Sequence, residues 1–199
     1  MVLAGQYLER PALIPAGDAT LEGLYHRGAQ LPALLVIPPP GPGGGMDEAA
    51  VAELAWAAAR AGHPSLRFQL RGVGASTGSP APERALEDAE AAHEHLAQTA
   101  GGRIALAAVG GGWRLAFALS RAHPEIDRVV LLAPDVIPDQ APATALALLP
   151  ERGGPPADAV AAALGARGRV ELIEGADPAL LAGLPAAGRK AVAFLASRR

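Results

Sequence analysis

Residues Arg103–Pro124, with the sequence RIALAAVGGGWRLAFALSRAHP, indicate the class of fold most clearly. The residues Ile104–Val109 are apolar without interruption, which is typical of a strand buried on both faces of a parallel sheet. Three glycines then indicate a tight turn, and Trp113–Ala122 has the length and composition of a helix. A buried strand, a turn and a helix in this order predict an α/β protein.

The same alternation continues on both sides of this stretch. Apolar runs of four to eight residues alternate with longer stretches rich in Ala and Leu, which predicts a mostly parallel sheet with helices on both faces. The predicted strands are Tyr7–Ile14, Thr20–His26, Ala33–Ile37, Ser65–Gln69, Ile104–Val109, Val129–Ala133, Ala145–Leu149 and Val170–Ile173. The predicted helices are Asp47–Ala61, Glu83–Thr99, Trp113–Ala122, Pro156–Leu164 and Ala186–Ser197. The first two strands have only a turn signal between them, so we expect an antiparallel hairpin at the sheet edge.

Length, charge and composition limit the class of protein. With 199 residues, half of them apolar, we expect one domain over 1–199. The 17 basic and 20 acidic side chains form no long run of one sign, which predicts neither a nucleic acid nor an anionic membrane as partner. The absence of cysteine excludes disulfides and a cysteine nucleophile. The first residues lack the pattern of a signal peptide and no apolar run is long enough to span a bilayer, so we expect no leader and a cytoplasmic protein.

Three segments resemble, in the right order, motifs of small bacterial α/β-hydrolases. LLVIPPPGPGGGM (34–46) resembles HPHP-x-x-GGTM, LRFQLRGVGASTG (66–78) resembles LRFNFRGVGxSxG, and VELIEGADPALLAGL (170–184) resembles a segment that usually contains GADHFF. The helix ALEDAEAAHEHL (85–96) also resembles the one that follows the second motif. The resemblance implies a three-layer α/β sandwich with a mostly parallel eight-stranded sheet of α/β-hydrolase type and no cap domain.

The resemblance also implies where catalytic residues would stand. In that fold a serine at positive φ occupies the turn after the fifth strand, and an acid and a histidine follow on later loops. We expect Gly112 at the nucleophile position, Gly153 at the acid position and Pro178 at the histidine position. No histidine follows His123, so a triad with histidine last is impossible in this chain. The resemblance therefore implies that no catalytic residue is intact.

These observations predict a non-catalytic homologue of the hydrolases that acts as a binding or assembly module, either as a homo-oligomer or with a protein partner. The helix and loop residues 138–149 are the apolar stretch with the least obvious sheet partner, and we expect this stretch to be exposed for association. A remnant pocket is a candidate site for a small ligand. Its candidate lining residues are Pro39, Gly41, Gly111, Trp113, Arg114 and Asp177.

Two other functions stay open at this point. One is an active serine esterase or peptidase-type hydrolase with a non-standard site, such as Ser76 with His26 or His63. The other is a small-ligand receptor that uses the remnant pocket. No cofactor is predicted. No metal is predicted either, because His93 and His95 are two positions apart on one helix and point in different directions.

Overall fold

The computed structural model of the chain describes residues 8–41, 43–178, 180 and 182–197. Eight strands form one sheet in the order β1-β2-β4-β3-β5-β6-β7-β8. The two pairings that involve β2 are antiparallel and the other five are parallel. The strands are β1 (Glu9–Ala16), β2 (Ala19–His26), β3 (Ala33–Ile37), β4 (Ser65–Phe68), β5 (Ile104–Val109), β6 (Arg128–Leu132), β7 (Thr144–Pro150) and β8 (Gly168–Ile173).

Five helices cover the two faces of the sheet. They are α1 (Ala49–Arg60), α2 (Ala85–Ala100), α3 (Trp113–Ala122), α4 (Ala157–Leu164) and α5 (Leu184–Ala196). Because successive side chains of a strand point to opposite faces, Leu106 packs in the core under α2, α3 and α4, whereas Ala107 packs in the core under α1 and α5. All residues of β3, β5 and β6 are consequently buried.

This architecture confirms the predicted fold class: a mostly parallel eight-stranded sheet between two helical layers, without a cap among the described residues. The β1–β2 hairpin is also as predicted; Tyr7, the predicted start of β1, lies outside the described residues. Helix α5 begins at Leu184 rather than Ala186 because Pro185 is tolerated in the first turn of a helix. In the described part of the chain, no helix is both long and apolar enough to cross a membrane.

The prediction that 138–149 lacks a sheet partner is wrong for the second half of this segment, where the predicted strand Ala145–Leu149 is confirmed. From Thr144 onward it forms β7, which pairs with β6 on one side and β8 on the other. A strand inside a parallel sheet is apolar on both faces and shows no alternation, so its sequence looks like an unpartnered apolar stretch. The segment is therefore core and offers little surface for association.

The loop after β4 and the start of α2 share a buried hydrogen-bond network. The Arg71 backbone N–H donates to Asp88 Oδ2 and its Nε donates to Asp88 Oδ1, both at 2.8 Å. Asp88 is fully buried and Arg71 is 2% exposed. Burying a charge is tolerated when it is paired and hydrogen-bonded, so this pair fixes the loop 66–78 to α2.

Candidate functional site

The turn after β5 is formed by Gly110–Gly112, one 3-10 turn that leads directly into α3. Gly110 has φ +51°, whereas Gly112 has φ −60° and is already helical. The prediction that Gly112 holds the left-handed position is therefore wrong by two residues. Because β5 ends at Val109, the chain reverses at the first residue of the turn, and that residue takes the positive φ.

The two glycines also differ in the space available for a side chain, which is larger at Gly110 than at Gly112. A Cβ on Gly110 would have only Pro39 within 4 Å among the described residues, at 3.6 Å. A Cβ on Gly112 would lie 2.8 Å from the Pro38 carbonyl oxygen and 3.0 Å from that of Ile37. The turn therefore has room for a side chain at Gly110 and requires glycine at Gly112, which fits the small residue two positions after the serine in a nucleophile elbow.

The loop after β3 passes beside Gly110 and offers few hydrogen-bond donors there. Residues 38–40 are three prolines, which have no backbone N–H. Further along the loop, the Gly44 N–H donates to the Gly41 carbonyl, and the buried Met46 N–H donates to Gln69 Oε1. An oxyanion hole needs N–H groups directed at the reacting atom, and the prolines nearest Gly110 cannot supply them.

The predicted acid and histidine positions lie against each other. A Cβ on Gly153, in the loop after β7, would lie 2.8 Å from Pro178 Cγ, in the loop after β8. The Arg152 N–H donates to the Ala176 carbonyl at 3.2 Å and ties the two loops together. Both loops lie at the carboxyl edge of the sheet, the same edge as Gly110, with three strand spacings, about 14 Å, between β5 and β8. Neither Gly153 nor Pro178 carries a group that can transfer a proton.

Trp113 and Arg114 share a partner that the sequence did not indicate. Asp135, in the loop after β6, accepts a hydrogen bond from Trp113 Nε1 at 3.0 Å, and Arg114 Nη1 lies 3.2 Å from both of its carboxylate oxygens. The Arg114 guanidinium also stacks on the Trp113 ring at 4.6 Å. A Cβ on Gly111 would lie 3.3 Å from this ion pair, so the pair covers the turn and the Arg114 charge is already neutralised within the chain.

The remaining predicted pocket residues shape turns. Asp177 accepts a backbone hydrogen bond from the Leu180 N–H at 2.9 Å, and its Oδ1 is buried without a hydrogen-bond partner among the described residues. Gly41, at φ +103°, closes the turn of the loop after β3. A cavity of about 870 Å³ lies at the amino edge of the sheet, beside Arg128 and Thr144. Gly110, Gly153 and Pro178 are not among its lining residues.

Ser76 has no histidine beside it. Its Oγ accepts a hydrogen bond from the Glu22 N–H at 2.8 Å and donates to the Gln69 carbonyl at 3.2 Å. His26 Nδ1 lies 3.2 Å from Ser65 Oγ, and His63 Nδ1 lies 2.9 Å from the Pro32 carbonyl. The structure therefore does not bring together the serine and either histidine that a non-standard esterase site would need.

One serine does contact a histidine that faces a carboxylate. Ser65 Oγ lies 3.2 Å from His26 Nδ1, and His26 Nε2 lies 3.8 Å from Glu9 Oε1. However, Ser65 is 0% and His26 2% exposed, so no substrate reaches the hydroxyl. Ser65 donates its proton to the Ala55 carbonyl at 2.8 Å, and burial lowers the pKa of His26. The arrangement satisfies buried polar groups between α1 and the sheet.

Comparisons with known proteins identify the fold of the chain. No protein-family model and no curated protein matches the chain. Among solved structures, it is similar to an alpha-beta serine hydrolase homologue from Coxiella burnetii, at 21% identity over 98% of this chain and 100% of that one, with a TM-score of 0.79. It is also similar to an α/β serine hydrolase without a lid from Xanthomonas campestris, at 19% identity over 100% of both chains, with a TM-score of 0.77. A third is a proline iminopeptidase-related protein from Thermus thermophilus, at 20% identity over 94% and 98% of the two chains, with a TM-score of 0.73. The chain has the α/β-hydrolase fold without a lid.

Proposed function

We propose that this chain is a non-catalytic protein with the α/β-hydrolase fold that acts as a binding or assembly module. The observation that carries the proposal is Gly110: the left-handed position after β5, where a nucleophile would stand, has no side chain. Gly153 and Pro178, proposed at the acid and histidine positions, offer neither an orienting carboxylate nor a base. Nucleophile, base and acid act as a unit, so their joint loss removes nearly all of the rate enhancement.

The surroundings of Gly110 supply no substitute. Pro39, the described residue nearest to its missing side chain, has no nucleophilic or titratable atom. Asp135, a carboxylate beside Gly111 in the turn, is engaged by Trp113 and Arg114. A catalytic carboxylate has to orient a base or receive a proton, and this one already neutralises a guanidinium.

Hydrolysis of a short-chain aryl ester tests the loss of activity. We expect no turnover above buffer from the wild type or from Gly110→Ser, because a new hydroxyl would have no base to activate it. The triple variant Gly110→Ser, Gly153→Asp, Pro178→His restores all three groups, and slow turnover by this variant alone would support the assigned positions. Ser76→Ala is the matched control, since it removes a serine outside the turn. Wild-type turnover that Ser76→Ala abolishes would contradict the proposal.

The binding part of the proposal rests on apolar side chains in the loop after β6. Val136 and Ile137 are 45% and 46% exposed, and they follow Asp135 at the same edge of the sheet as Gly110. Adjacent exposed apolar side chains are a common feature of surfaces that bind another protein. The proposed partner is a second copy of the chain or another protein.

Sedimentation velocity tests self-association through this loop. We expect the wild type to sediment above the mass of a single 20.1 kDa chain and the double variant Val136→Glu, Ile137→Glu to sediment as a monomer. Leu13→Glu is the control, because Leu13 is 73% exposed on β1, at the opposite end of the sheet. A monomeric wild type would contradict self-association. Dissociation by Leu13→Glu alone would show that the chains associate through strand β1 instead of the loop after β6.

A further inference from the structure

Two histidines and a glutamate that are distant in sequence meet beside α2 and α3. His93 lies in α2, His123 directly follows α3, and Glu125 is two residues further along. The two imidazole rings are 4.4 Å apart, and His123 Nδ1 lies 3.2 Å from Glu125 Oε1. One ligand atom from each of the three residues lies within 4.8 Å of the others. This is the donor set of a metal centre with two histidines and one carboxylate.

We propose that His93, His123 and Glu125 bind a divalent transition-metal ion of the zinc class. Tetrahedral zinc with bonds of about 2.1 Å holds its ligand atoms about 3.4 Å apart. The cluster atoms, which lie within 4.8 Å of one another, therefore need to approach by about 1.4 Å at most. Glu125 is exposed and reaches this geometry by side-chain rotation. Three protein ligands leave a fourth position for water or for a donor from a partner.

The environment of His93 favours a ligand over a merely packed side chain. His93 is 8% exposed, and neither of its ring nitrogens is among the buried polar atoms without a hydrogen-bond partner in the described residues. The nitrogens therefore keep contact with solvent, from which an ion can reach them. His123 already contacts Glu125, so the carboxylate lies beside the second imidazole before any ion binds.

The site lies away from the turn where activity is proposed to be lost. Gly110 precedes the start of α3 and His123 follows its end, and ten helical residues span about 15 Å. A metal bound there would link α2 to the connection between α3 and β6. The inference is therefore independent of the proposed function, and the two can fail separately.

Metal titration of the full chain without an affinity tag tests the inference, after treatment with EDTA. We expect one Co²⁺ per chain with the visible absorption of a low-coordinate site, and its displacement by Zn²⁺. His93→Gln and Glu125→Gln should each weaken Zn²⁺ binding about tenfold or more, since each removes one of three ligands. His95→Gln is the matched control, because His95 lies on the same helix outside the cluster and should bind as the wild type does.

A thermal readout separates binding from misfolding. At a free Zn²⁺ concentration of 100 times the wild-type Kd, we expect the wild-type Tm to rise by about 5–11 °C and the Glu125→Gln Tm to rise by no more than about half as much at the same concentration. Glu125 is exposed, so its substitution should leave the fold intact even if His93→Gln unfolds the protein. Failure of the wild type to bind one Zn²⁺ or Co²⁺ would overturn the inference. So would an equal loss of affinity in His95→Gln and Glu125→Gln.

Discussion

The loop after β4 and the turns at the carboxyl ends of β5, β7 and β8 contrast in their polar groups. In the loop, the Arg71 side chain is bound to Asp88 and the Ser76 hydroxyl bridges two backbone groups. At the turns, Gly110, Gly153 and Pro178 occupy the positions proposed for a nucleophile, an acid and a base, and none of the three has a side chain that could act as one. The contrast shows that Arg71 and Ser76 are explained by folding, since Arg71 is paired with buried Asp88 and the Ser76 hydroxyl is hydrogen-bonded to the backbone.

The largest expected effect is a loss of stability when the buried ion pair that holds the loop after β4 is broken. Asp88→Ala leaves the buried Arg71 guanidinium without its main partner, and breaking a buried ion pair in this way destabilises a protein by about 3–5 kcal/mol. Urea unfolding followed by circular dichroism measures the change. Asp18→Asn is the control: its carboxylate lies 3.4 Å from Arg71 but is 75% exposed, so solvent screens the contact and we expect a much smaller change than for Asp88→Ala. Equal effects of both substitutions would show that the buried pair is not what fixes the loop.

The second prediction concerns the two ends of the turn after β5. Gly112→Ala places a Cβ against two backbone carbonyls and should destabilise the protein by about 1–3 kcal/mol. Gly110→Ala has room for the methyl group and suffers only the positive φ, at about 1 kcal/mol. Thermal melts of both variants measure the order. A greater loss for Gly110→Ala would restore Gly112 as the position that accepts a side chain.

A smaller effect is expected for Ser76→Ala. This change removes a hydroxyl that joins the Glu22 N–H to the Gln69 carbonyl inside the protein, and the loss should be about 1 kcal/mol. Urea unfolding measures it, with Ser79→Ala on the exposed part of the loop as a neutral control. No change in stability would indicate that Ser76 is kept for something other than the fold.

The smallest effect is a pH dependence of Glu87. Hydrogen bonds from Arg84 and Arg71 lower the pKa of Glu87 to about 2 from its ordinary value of 4.5. A pKa that is lower in the folded state stabilises the protein above pH 4.5 and loses this contribution as the pH falls toward 2. The stability difference between wild type and Glu87→Gln should therefore be largest near pH 7 and shrink below pH 4.5. A difference that stays constant between pH 7 and pH 3 would contradict the assignment.

The sequence predicted the fold more fully than the site. Buried strands such as Ile104–Val109 and Ala145–Leu149 are recognisable because parallel strands are apolar throughout, although the apolar segment around β7 was also expected to be exposed for association. The predicted nucleophile position was Gly112 rather than Gly110, because the sequence does not distinguish three consecutive glycines. Only the backbone angles do so. The approach of His93 to His123 depends on the packing of α2 against α3. The two residues are far apart in the sequence, which gives no sign that they meet.

The most direct test of the central claim is covalent labelling of the wild-type chain with a serine-reactive fluorophosphonate, read by mass spectrometry of the intact protein and its peptides. Such a probe reacts with a serine that a neighbouring base activates. Because Gly110 has no side chain and the Ser76 hydroxyl has no histidine beside it, we predict no labelled peptide. A stoichiometric adduct on any serine of the folded protein, lost on unfolding, would contradict the non-catalytic account.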